Sequence, residues 1–274
     1  MKVMIDPGHY GKYVNQSPVD PTYYESATVW TLANYLAEAL RKMGVLVGMT
    51  RTNIDEQVPL VERGRMASGY DLFVSVHTNA TGNSQGSETA NFPVCFVQVS
   101  GASTEIGNRI GEALRPLFGA SKFECYPVEN ANHQDYYGVL RGAAEVGTPG
   151  LIVEHGFHTC LANVRLLEQD SFLDQLAETD AQVIYDYLLE KEGQTVVQPA
   201  STMLYGKVTG VPAGDQLNVR IGPGASYDKL NTWPALGNGN DVDVVGRDDN
   251  QKWLYIRIAG EHFGWVSAKY IKIV

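Results

Sequence analysis

The sequence predicts an α/β domain, a mostly parallel sheet flanked by helices, followed by a smaller all-β unit. Three observations carry that expectation. Short apolar runs alternate with amphipathic helical patterns over residues 1–191, as in strands joined by helical crossovers. Residues 203–274 switch to short segments of period-two alternation broken by Gly, Pro, Asn and Asp, the pattern of a small barrel or sandwich. Between them, "EGQTVVQPAST" at residues 192–202 has neither periodicity and contains a proline, as a linker does.

Each element follows from its residues. Val3, Met4 and Ile5 make a buried strand that Asp6-Pro7-Gly8 stops, because proline fixes φ and glycine permits a tight turn. Residues 26–43 place Val29, Leu32, Leu36, Leu40 and Met43 at spacings of three and four. That makes one buried helical stripe, which Gly44 ends. Residues 45–51 read as a strand, 58–68 as a helix and 71–79 as a buried strand. Residues 90–100 read as another strand, whose start Pro93 demotes to an edge or bulge. Residues 102–118 look helical, 150–157 read as strand and turn, and 171–191 as a long amphipathic helix. Right-handed crossovers are the default for such a chain. In the last part, "LNVRIGPGASYD", "DVDVVGRD", "KWLYIRIAGEHFGWVS" and "YIKIV" supply the short strands. Trp233, Trp253, Tyr255, Trp265 and Tyr270 cluster there, some for the core and others for a flat binding surface.

Composition excludes several functions. The 274 residues carry 21 Lys/Arg against 31 Asp/Glu, a formal charge of −10. No basic cluster interrupts this balance, so non-specific nucleic-acid binding, which displaces counterions with a basic face, is not expected. The charge is uneven: residues 1–201 hold 13 Lys/Arg and 24 Asp/Glu, residues 202–274 hold 8 and 7. No apolar run approaches 18 residues, so no membrane span is expected. The N-terminus lacks a secretory pattern, so the expectation is that the protein either works in the cytoplasm or leaves it by a route other than a signal peptide. Cys95, Cys125 and Cys160 are scattered without CxxC spacing. They read as buried free thiols, not as a disulfide framework or a thiolate metal site.

The chemistry gathers at strand ends. His9 follows the first strand, His77 closes "LFVSVHTNA", and Glu154 follows three apolar residues in "LIVEHGF". In a parallel sheet these groups share one edge, where α/β sheets bind ligands. Glu25 opens the first helix, a place that also suits a carboxylate through the helix dipole, worth about 0.3–1 kcal/mol. Two histidines and a carboxylate are the ligand set of catalytic zinc sites that leave one position open to water. Such an ion acidifies water and polarises a carbonyl, and a second carboxylate must then move the proton. Glu154 has the placement for that task. No HExxH pair exists, so the ligands come from separate elements.

Other polar residues read two ways. His155 and His158 flank the Glu154 turn, either standing behind the site or exposed to solvent, or as groups that supplement the metal site or hold substrate. His133, in the polar stretch "ENANHQDYYG", is either a surface residue or part of a substrate rim. Asn79 is placed to hydrogen-bond a substrate amide, although asparagine at a strand end also forms turns. Arg51, Arg63 and Arg141 read as scaffold residues pairing buried carboxylates, away from the strand-end edge.

The strings "MIDPGHYGK", Glu25, "MTR", "VERGRMA", "DLFVSVHTNA" and "GVLRGAAEVGTPGLIVEHGF" run in order over most of residues 1–190. Together they resemble the zinc-dependent N-acetylmuramoyl-L-alanine amidases of the third amidase type. The resemblance implies one zinc ion per chain held by His9, Glu25 and His77, with Glu154 as the catalytic carboxylate. The implied substrate is peptidoglycan, cut between N-acetylmuramic acid and L-alanine. Tyr10 departs from the family's second glycine, and "YVNQSPVDPTYYES" reaches Glu25 without the family's Gly-Ala wording or its following lysine. "LNVRIGPGASYD", "KWLYIRIAG" and "GWVSAKYI" resemble bacterial SH3-type cell-wall-binding domains, which implies an SH3-like barrel tethering the enzyme to the wall. The two resemblances fit a phage endolysin or a mother-cell lytic enzyme. The rival expectations are a zinc peptidase cutting within the stem peptide and an inactive wall-binding protein.

Overall fold

The structure, a computed structural model, describes residues 1–192 and 204–274 apart from 221, 226, 228, 231, 232, 248–251, 260, 261 and 274. The expected linker at 192–202 therefore falls outside the described residues after its first position. Two compact units emerge, Met1–Arg41 with Val45–Leu188, and Lys42–Gly44 with Leu189–Val274.

The first unit runs β1 (Lys2–Pro7), α1 (Glu25–Lys42), β2 (Leu46–Met49), α2 (Leu60–Arg65), β3 (Leu72–Asn79), β4 (Val94–Val97) and α3 (Thr104–Leu114). It continues through a 3-10 turn at Arg115–Phe118, then β5 (Glu124–Pro127), α4 (Gly138–Glu145), β6 (Gly150–Phe157), α5 (Leu161–Leu167) and α6 (Asp170–Lys191). Six strands form one sheet in the order β2-β1-β3-β6-β4-β5. Every pairing is parallel except β4 with β6. The sheet is mostly parallel, as expected, with one antiparallel pairing. No helix lies between β3 and β4, so the chain turns back without a crossover and β4 enters the sheet antiparallel beside β6. Strand β5 and helices α4 and α5 were not anticipated, being only four, eight and seven residues long.

Packing follows the predicted stripe. Val29, Leu32, Leu36 and Leu40 of α1 are all fully buried, each such side chain contributing about 1.5–3 kcal/mol by leaving water. On one sheet face Met4, Phe73, Phe96 and Ile152 pack with Val139, Leu140 and Ala143 of α4. Helices α2 and α4 cross so closely that only glycine fits at the contact. A Cβ on Gly64 would lie 2.1 Å from the carbonyl oxygen of Val139, and one on Gly142 would lie 2.0 Å from that of Val61. Cys95 and Cys160 are buried and Cys125 is half-buried, all as free thiols.

The second unit contains β7 (Leu204–Val208), β8 (Leu217–Asn218), β9 (Ala235–Leu236), β10 (Asp241–Arg247), β11 (Trp253–Ile258), β12 (His262–Ser267) and β13 (Ile271–Ile273). Five of them form an antiparallel sheet, β12-β11-β10-β7-β13, and β8 pairs with β9. Alternation decides what is inside: Leu254, Ile256 and Ile258 of β11 join Val208, Val219 and Val266 in the core. Trp265 is fully buried, while Trp233 and Tyr270 lie half-buried against that core. Among the described residues no helix is long and apolar enough to cross a membrane.

Candidate metal centre

Register brings the site together. Pro7 pairs with Val76 on β3, and His77 pairs with Glu154 on β6. Side chains two apart on a strand share a face, so Asp6 and Gly8, Ser75 and His77, and Ile152 and Glu154 line one side of the sheet. Beneath the site Asp6 is fully buried. It accepts hydrogen bonds from Thr50 Oγ1 at 2.6 Å and Ser75 Oγ at 2.7 Å, with Arg63 Nη1 at 3.6 Å.

The turn that carries His9 is clamped from below. Arg51 Nη2 donates to the carbonyls of Pro7 (2.7 Å) and Gly8 (3.1 Å), and Arg63 Nη2 donates to that of His9 (3.2 Å). His9 has φ of 58°, a left-handed conformation costing about 1–3 kcal/mol that the surroundings must enforce. These arginines correct the sequence expectation. Arg51 and Arg63 sit at the strand-end edge, not away from it, and mainly hold main-chain carbonyls. Arg141 likewise donates to the carbonyls of Asp135 and Tyr136. Only Arg63 pairs a buried carboxylate among these contacts.

Above the turn, His9 Nε2 lies 3.0 Å from Glu25 Oε2, and His77 Nδ1 lies 3.0 Å from Glu25 Oε1. One ligand atom from each of the three falls within 4.8 Å of the others. The imidazoles meet edge to face with centroids 4.9 Å apart. Glu25 is only 2% exposed. Burial opposes its ionisation, but hydrogen bonds and charge from His77 and His9 outweigh that and hold its carboxyl well below the usual range. Glu154 answers oppositely. Burial, then the negative charge of Glu25, pushes its carboxyl well above the usual range. Its Oε2 has no hydrogen-bond partner among the described residues, an arrangement that needs a proton or a substrate group to satisfy it. The cavity over these groups holds about 530 Å³, with Tyr10, Val58, Leu60 and Tyr137 among its walls. Two imidazoles and a carboxylate converging at the floor of an open cavity fit a zinc ion's nitrogen and oxygen preference.

The remaining candidates separate. Asn79 lines the cavity, its Oδ1 accepting the Ala80 amide at 2.8 Å in a turn-forming contact. His133 is exposed on a loop, with Nδ1 3.0 Å from Glu129 Oε2, and is not among the cavity walls. His155, expected to touch substrate, is fully buried instead. Its neighbour Glu154 faces the cavity, so alternation turns His155 to the opposite side, where Nε2 lies 2.7 Å from Asp180 Oδ2 of α6. Its Nδ1 contacts the His77 carbonyl at 3.1 Å, which leaves neither nitrogen for a ligand. His158 is buried in the cavity wall, its Nδ1 3.8 Å from Glu25 Oε2 and 3.0 Å from the Thr78 carbonyl. Burial pushes its pKa down, favouring a neutral ring. An extra residue in β6 allows this placement: His77 pairs with Glu154 but Asn79 pairs with Phe157, a bulge of the kind found beside active sites. Gly156, with φ of 70°, takes the bulge. Asn15 was not anticipated at all. Its Nδ2 donates to Glu25 Oε2 at 2.9 Å.

Comparison with known proteins agrees with this geometry. A sequence model described as N-acetylmuramoyl-L-alanine amidase matches residues 3–186. The chain belongs to the N-acetylmuramoyl-L-alanine amidase family. This amidase is 29% identical over 259 residues to an endolysin of Bacillus phage SPP1, covering 92% of this chain and 79% of that one. It is 28% identical over 190 residues to a sporulation-specific N-acetylmuramoyl-L-alanine amidase of Bacillus subtilis strain 168, covering 66% of each. Among solved structures, an N-acetylmuramoyl-L-alanine amidase from Clostridium difficile 630 is similar with a TM-score of 0.58 at 25% identity, covering 69% of this chain and 97% of that one. The helix-flanked sheet of the amidase unit is the catalytic fold of that family.

Proposed function

We propose that this amidase hydrolyses the amide between the lactyl group of N-acetylmuramic acid and L-alanine in peptidoglycan, using one zinc ion held by His9, Glu25 and His77. The observation that carries this reading is the pairing of His77 with Glu154, which sets a buried, unpartnered carboxylate beside the three-ligand cluster. Zinc bound there supplies a Lewis acid for the scissile carbonyl and its attacking water.

Glu154 does the proton work. It accepts a proton from water as the new carbon–oxygen bond forms, then delivers it to the nitrogen as the carbon–nitrogen bond breaks. Burial and the Glu25 charge raise its pKa, which favours its taking a proton from water and holding it for the departing nitrogen. The products are a free lactyl carboxylate and a peptide with a new L-alanine amino terminus. Asn79, on the cavity wall, is placed to receive a polar group of the substrate.

The second unit serves as an SH3-like wall-binding domain, with residues 1–191 catalytic and 203–274 forming the tether. Tethering raises the effective concentration of enzyme at an insoluble polymer. The endolysin and the sporulation amidase among its relatives support a role at lysis, when the wall becomes accessible.

A zinc peptidase would use the same cavity but cut inside the stem peptide. Labelling the free amino groups of digested walls tests the assignment. New L-alanine termini are expected, and termini from later stem residues without them would overturn it.

A further inference from the structure

The carboxylate of Glu25 has four close partners in this structure, and they fall into two kinds. His77 Nδ1 at Oε1 and His9 Nε2 at Oε2, each 3.0 Å away, are the other two ligands of the proposed zinc site. The remaining partners are not ligands. The Thr78 main-chain amide donates to Oε1 at 3.1 Å, and Asn15 Nδ2 donates to Oε2 at 2.9 Å while lying 3.1 Å from His9 Nε2, so it touches two of the proposed ligands. One fixed donor therefore serves each oxygen of the carboxylate.

Asn15 also holds the main chain of the same residue. Its carbonyl accepts the Glu25 amide at 3.0 Å, beside a bond from the Ser26 amide to the Val14 carbonyl at 3.3 Å. Ser26 Oγ in turn accepts the Val14 amide at 3.0 Å. The backbone of Asn15 has φ of 54°, in the left-handed region that asparagine tolerates better than most residues. Asn15 on the loop before α1 thus holds the Glu25 main chain through its own carbonyl and the Glu25 carboxylate through its side chain.

We propose that Asn15 is a positioning residue for the metal centre: by holding Glu25 Oε2, it preorganises Glu25 as a zinc ligand. This rests on the functional reading above. Glu25 approaches from a helix and the two histidines from strand ends, so the set lacks the rigidity of ligands on one element. A hydrogen-bond donor that orients a ligand without touching the ion typically changes metal affinity by roughly ten- to hundredfold when removed. The contact also settles a matter of chemistry. The loop that leads to Glu25 departs from the family wording, and Asn15 supplies from within that divergent loop the restraint the ligand needs.

Two variants separate side chain from backbone. Asn15→Gly keeps the left-handed conformation at no steric cost and deletes the amide; Asn15→Ala deletes the amide and disfavours that conformation. The full-length protein is stripped with chelator and checked for folding by circular dichroism. Zinc is then titrated in competition with a chromophoric chelator. Both variants are expected to bind zinc roughly ten- to hundredfold more weakly than the unaltered chain. Wild-type affinity in folded Asn15→Gly overturns the proposal, whatever Asn15→Ala does, because the amide then contributes nothing. If the unaltered chain itself binds no zinc, the reading of the site fails, a result distinct from equal affinity in all three.

Discussion

A methyl group on Gly8 would lie 2.4 Å from Cε1 and 2.6 Å from Nε2 of His77. The turn that ends β1 therefore rests directly on the imidazole of a proposed ligand, and the absence of a side chain at position 8 is a condition of this geometry. Gly8 is not among the residues with positive φ, so Gly8→Ala tests space alone. The His77 ring must move to admit the methyl. Zinc affinity is expected to fall roughly ten- to hundredfold with the fold intact, read by chelator competition and circular dichroism. Unchanged affinity would mean that His77 is not held where it is needed.

Glu154→Gln removes the proton carrier while keeping shape. It is expected to retain zinc and lose about 10²–10⁴-fold in turnover, measured on a soluble muropeptide alongside elemental analysis. Near-wild-type hydrolysis would assign the proton transfer elsewhere.

The same substitution has a pH signature in the chelated protein. Burial and the Glu25 charge raise the folded pKa of Glu154 above its unfolded value. Below the unfolded value, near pH 4.3, both states are protonated and no cost arises. As pH rises through the folded value, the native state carries a buried charge and loses stability. Glu154→Gln should therefore melt higher than the unaltered chain at neutral pH and alike near pH 4, by calorimetry in the presence of chelator. A difference of constant size across that range would contradict the placement of this carboxyl.

The α2–α4 crossing offers a test of the scaffold. Alanine in place of glycine normally favours a helix by about 1 kcal/mol, but at position 142 the added carbon meets the backbone of Val61. Gly142→Ala is expected to cost about 1–3 kcal/mol, a drop of several degrees in melting temperature. A rise would mean that the crossing is looser than described.

Much of the site was legible because its residues end apolar runs. His9 follows β1, while His77 and Glu154 stand within β3 and β6 where their apolar runs close. A run of Val, Ile and Leu announces both the strand and its edge. Glu25 was legible as the start of a well-formed stripe. The reversal of β4 was not, since strand direction is settled by pairing with a segment some 55 residues away and leaves no mark on the four residues of the strand. The two readings of His155 could be separated from the strand alone: neighbours face opposite ways, so a cavity-facing Glu154 turns His155 to the other side. Arg51 and Arg63 read differently in the sequence because their long side chains reach from the segment after β2 and from α2 to the carbonyls of the His9 turn. Asn15 carried no signal, standing ten residues before Glu25 in a loop without periodicity.

The account stands on a metal ion at His9, Glu25 and His77, and elemental mass spectrometry of the purified chain tests that most directly. It predicts about one zinc per chain, lost together with wall hydrolysis when His77 becomes alanine. A fully lytic preparation that contains no divalent metal would contradict it.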